Sequence, residues 1–130
     1  MHSVPIQLRF NDIDQMGHVN NAVIMEFFDL GKSAYFTSLG INPEDGDFTV
    51  IVVHLDVDFQ SQIHYRDQVS VETCVCKIGN KSLHLLQRVV KPDGTVCAIC
   101  RTVMSGYLRS AKCSAAIPEA YKSLIPVEGE

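Results

Sequence analysis

The segment Asn11-Asp12-Ile13-Asp14-Gln15-Met16-Gly17-His18-Val19-Asn20-Asn21 gathers two carboxylates, an imidazole, a glycine and a closing pair of amides. It lies between an alternating strand pattern and a long apolar helix pattern. A carboxylate just before a helix N-terminus sits beside backbone N–H groups that no helical carbonyl uses. Those donors can hold a carbonyl oxygen while the carboxylate, or a water it activates, attacks the carbon. Asp14 is the candidate for that attack; its plainer role is to cap a turn. Asp12 shares a face with Asp14 if the chain is extended, and like charge would then raise one pKa. The expectation for Asp12 is nevertheless a solvated loop acid. His18 could orient Asp14, act as a base, or join both acids on a divalent ion. No second histidine stands in a convergent motif, so no metal is expected. Gly17 supplies a backbone conformation that a Cβ resists. Asn20 and Asn21 serve as cap, as site residues, or as both.

The elements that must position these residues read clearly. Val4, Ile6, Leu8 and Phe10 alternate, which predicts a strand over 4–10. Ile24, Phe27, Phe28, Gly31, Ala34 and Tyr35 recur at helical spacing, which predicts a helix from Asn20 to a stop at Gly40. Gly31 lowers helix propensity and marks a close backbone approach. Ile51, Val53, Leu55, Val57 and Phe59 fall on alternate positions and predict a long strand with one apolar face. Strands over 68–78, 82–91 and 95–109, joined by turns at Gly79-Asn80 and Pro92-Asp93-Gly94, form an antiparallel meander. Pro118 opens a short C-terminal helix. This order gives an α+β fold in one domain over 1–130, with the sheet curled round the long helix.

Composition narrows the function. A chain of 130 residues with net charge -4 and scattered basic residues lacks the footprint of a nucleic-acid binder. No apolar run has transmembrane length and Met1 to Arg9 lacks a signal peptide's apolar region, so the expected compartment is the cytoplasm. The five cysteines are expected to be free thiols used as small apolar residues. Cys74 and Cys76 should share a strand face. Cys97 and Cys100, at i and i+3 on a strand, converge poorly on one ion.

The order of elements resembles the hotdog fold, a curved antiparallel sheet wrapped around one long central helix. The loop resembles the acyl-CoA thioesterases of the 4-hydroxybenzoyl-CoA thioesterase type. In these a strand ends in an aromatic residue, followed by Asp-x-Asp-x-x-Gly, polar residues and the helix; here those elements are Phe10, Asp12, Asp14, Gly17, Val19, Asn20 and Asn21. Gly17-His18-Val19-Asn20-Asn21 resembles relatives with His and two Asn before the helix. The acid and basic residue that family members place on the helix correspond to Asp29 and Lys32. Ile24 stands where the family usually has Tyr, and Lys32 where Arg is common. The resemblance implies that Asp14 is the catalytic carboxylate and that the Asn21 N–H polarises the thioester carbonyl. Gly17 and His18 join Asp14 and Asn21 as catalytic candidates, and Asn20 and Asp29 are the substrate-binding candidates; Asp29 could otherwise be a buried partner for Lys32, three residues on, or a surface acid. The resemblance also implies an acyl-CoA substrate and a homodimer or homotetramer with sites at a subunit interface.

A thioester needs an oriented attack and a donor for the developing oxyanion. Asp14 either attacks directly, giving a mixed anhydride that water hydrolyses, or acts as general base for water. Neither route requires a metal or cofactor. The rival readings are an acyl-ACP thioesterase and a non-catalytic acyl-CoA-binding protein on the same fold.

Overall fold

The structure, a computed structural model, describes residues 1–129. Its elements in order are β1 (His2–Ile6), a 3-10 turn (Phe10–Asp12), α1 (Asn21–Ser38), β2 (Phe48–Phe59), β3 (Val69–Ile78), β4 (Ser82–Val90), β5 (Val96–Leu108), β6 (Cys113–Ser114) and α2 (Glu119–Leu124). The strands form one antiparallel sheet in the order β1-β3-β4-β5-β2, with β6 pairing β5. The sheet curves around α1, which packs on β3, β1 and β4. This is the hotdog architecture the sequence resembles.

α1 follows the predicted stripe. Ile24, Phe27, Phe28, Gly31, Tyr35 and Phe36 are its buried residues, and 18 residues give a rod of about 27 Å. Its N-cap is Asn20, whose side chain accepts the Ala22 N–H, and the chain leaves the helix through Gly40 at φ +78. Gly31 is the close approach: a Cβ there would run into Val71 Cγ1. Two apolar clusters hold the layers together. One joins Ile24, Phe27 and Phe28 to Val71, Val89 and Ala98. The other joins Tyr35 and Phe36 to Leu83, Leu85, Ile117 and Ile125. Each such fully buried large side chain contributes about 1.5–3 kcal/mol. Between helix and sheet lies a buried amide. Gln87 Nε2, on β4, donates to the Phe28 carbonyl at 2.9 Å and to Thr73 Oγ1 at 3.0 Å.

Four expectations are corrected. The first strand ends at Ile6 instead of continuing to residue 10. The Arg9–Asp12 turn bends the chain away, leaving Phe10 80% exposed. In β2 the alternation is broken by a bulge at Val53, between the pairs Val52–Met104 and His54–Val103. β2 is also an edge strand, and Ile51, Val52, Val53, Leu55 and Phe59 all reach the surface. In β3 a bulge at Cys76 separates the two thiols that should have shared a face: Cys74 is buried, Cys76 only partly. A bulge at Cys97 likewise changes the phase of β5, so Cys97 and Cys100 are both buried.

Candidate active site

The loop between the 3-10 turn and α1 is a small hairpin. Ile13 and Val19 form an antiparallel bridge, and the Asp14 N–H donates to the His18 carbonyl at 3.0 Å. The Gly17 N–H returns to the Asp14 carbonyl at 3.1 Å, and Gly17 takes φ +87, the left-handed region that favours glycine. The Asp14 carboxylate accepts the Met16 N–H on Oδ1 at 2.8 Å, which closes an Asx turn. That bond fixes the side chain, while Oδ2 has no donor among the described residues.

The hairpin leads directly into the helix start. The Asn20 carbonyl accepts from Val23 and Ile24, and its side chain accepts from Ala22. This cap leaves the N–H of Asn21, the first helical residue, with no acceptor among the described residues. Asn21 and His18 line a cleft of about 230 Å³ with Val19, Ile24, Phe59 and Ile63. The far wall is the segment after β2. Ile63 holds the loop by accepting the Val19 N–H at 2.7 Å, and His64 Nδ1 lies 3.4 Å from the Gly17 carbonyl.

The predicted residues therefore divide. Asp14, Gly17, His18, Asn20 and Asn21 share one loop-to-helix corner. Asp29 does not join them in a single chain. It is 79% exposed, pairs with Lys32 at 3.6 Å, and lines a separate cavity of about 650 Å³ with Phe36, Ile41, Val50 and Met104. Asp12 is not a solvated acid: it is 1% exposed, and its carboxylate is taken by Arg9. Among the described residues no three His, Cys, Asp or Glu side chains converge to hold a metal. The sequence reading missed Arg9, whose i,i+3 spacing to Asp12 was a readable signal. It also missed the Phe59–Ile63 wall, which no local spacing could bring to the loop.

Residues 8–125 match the model of a family described as the thioesterase-like superfamily. A thioesterase of Thermus thermophilus, solved with coenzyme A and Zn, is 29% identical, with 95% of this chain and 90% of that one covered at a TM-score of 0.81. The PA5185 protein of Pseudomonas aeruginosa PAO1 is 24% identical over 100% of this chain and 94% of its own, at 0.87. A 1,4-dihydroxy-2-naphthoyl-CoA thioesterase of Synechocystis is 16% identical, with 95% and 93% covered at 0.85, a likeness of fold. A family match that begins beside Arg9, takes in the whole hairpin and helix, and ends past the meander makes this chain a member of the thioesterase-like superfamily.

Proposed function

We propose that this chain is a cytoplasmic acyl-CoA thioesterase of one domain, with Asp14 as nucleophile or general base. The observation that carries the reading is the uncommitted N–H of Asn21 at the head of α1, on a residue that lines the cleft, with Asp14 on the hairpin that leads into it. A thioester carbonyl set against that N–H gains a donor where its oxygen becomes charged. Asp14, held by Met16, keeps Oδ2 for the carbonyl carbon or for a water. Gly17 shapes the turn and His18 borders the cleft. Asn20 commits its side-chain oxygen to the cap and keeps its amide N–H groups for the substrate. The coenzyme A in the Thermus thermophilus thioesterase supports a CoA thioester as the substrate.

The cleft is smaller than the roughly 300–1,000 Å³ that drug-sized ligands occupy. A second copy supplies the rest. The apolar edge of β2 is a pairing template. A two-fold antiparallel pairing about its middle sets the Phe59 end of one strand beside the Phe48 end of the other. The cleft at Phe59 then meets the copy's cavity at Val50, where Asp29 contributes to the acyl pocket. The active form is a homodimer, with a homotetramer as its extension.

The test is thiol release from a panel of short, long and aromatic acyl-CoAs. Release of free CoA by the wild type, abolished in Asp14→Asn, is the expected result. Binding of acyl-CoA without release would instead mark a carrier or an acyl-ACP enzyme, which an acyl-ACP substrate separates.

A further inference from the structure

We propose that Asp12, clamped by Arg9, is a positioning residue that sets Asp14 against the head of α1. A carboxylate removed from water persists only when it is paired and hydrogen-bonded. Asp12 is 1% exposed, yet all three of its donors come from one residue. The Arg9 backbone N–H donates to Oδ2 at 2.8 Å, and Arg9 Nε and Nη2 donate to Oδ1 at 3.1 and 2.8 Å. The same guanidinium reaches Glu26 Oε2 on α1 at 3.6 Å. The Asp12 carbonyl accepts the Asn20 N–H at 3.0 Å, and Asn20 is the cap of the helix. Asp12 thus closes the hairpin at its base, joining both ends of the segment that carries Asp14. Above that closure lie the Ile13–Val19 bridge and the Asp14-to-His18 bond.

A slip at the base therefore moves the Asp14 carboxylate relative to the Asn21 N–H, although Arg9 and Asp12 touch neither. A loop acid serving only solubility would have no reason to be buried. The charge pattern also predicts a particular failure. Removing Arg9 alone leaves an unpaired buried carboxylate beside Glu26, while removing both charges leaves a neutral corner.

The kinetic arm of the test rests on the thioesterase reading; the exchange arm does not. In Arg9→Gln we expect kcat to fall about tenfold or more with KM within about twofold of wild type, the pattern of a misplaced reacting group. We expect faster hydrogen exchange at the Asn20 amide. Arg9→Gln/Asp12→Asn should regain a large part of the lost kcat. An unchanged kcat in folded Arg9→Gln would overturn the proposal, as would a double variant no more active than Arg9→Gln. If Arg9→Gln does not fold, Arg9→Lys takes its place. It keeps the charge and loses the two-pronged donor, so kcat should still fall, and an unchanged kcat overturns the proposal. If the wild type hydrolyses no acyl-CoA, the Asn20 amide decides: unchanged protection in the Arg9 variant overturns the clamp.

Discussion

At the scale of single residues, the proposed chemistry comes down to one carboxylate and one backbone N–H. Asp14→Asn keeps the side-chain oxygen that accepts the Met16 N–H, so the hairpin should persist. Turnover should drop by about 100-fold or more, as for loss of a general base or nucleophile, with an unchanged circular dichroism melt. Asn21→Pro is a sharper probe. Asn21 is the first helical residue, where proline is tolerated, and Asn20 already has the extended backbone (φ -63, ψ 140) that precedes proline. The substitution deletes the N–H and spares the helix, so kcat should fall while KM hardly moves in a steady-state assay; a pure KM change would count against the oxyanion role. The composition of this corner was legible in the sequence, because Asp, Gly and Asn mark a turn running into a cap. The burial of Asp12 was not. Whether an acid two residues from another faces water depends on where Arg9 folds back, and alternation had placed Arg9 in a strand.

At the scale of elements, the helix seat is set by one missing side chain. Gly31→Ala would drive a Cβ into Val71 Cγ1 and to 3.3 Å from Gln87 Nε2. Better helix propensity, about 1 kcal/mol, is outweighed by overpacking of about 1–3 kcal/mol plus the strain on the buried amide. A net loss should appear in urea unfolding, and Val71→Ala in the same chain should return part of it. The helix span, its cap and the meander turns were readable because each follows from short-range chemistry. The phases of β2, β3 and β5 were not, since each contains one extra residue. A bulge at Val53, Cys76 or Cys97 leaves no mark in a pattern read two residues at a time.

At the scale of the molecule, the apolar edge of β2 is the feature a lone chain leaves unpartnered. Leu55→Lys would set like charges near the seam of the proposed dimer. Light scattering over a dilution series should then report a monomer, and thiol release should fall with it. A fully active monomer would remove the copy from the pocket. The other large-scale feature is internal. Gln87 is wholly buried, and its amide spans helix and sheet between residues 59 positions apart in sequence. If α1 lifted off alone, that bond would break and the apolar faces of both layers, Phe27 and Phe28 on the helix and Val71 and Val89 on the sheet, would be bared to water. Partial opening is therefore penalised, and the amides at the middle of α1 and along β4 should exchange with the same free energy, as one cooperative unit. A chain built this way has no separately melting helix: it should hold its loop-to-helix corner until the whole fold gives way.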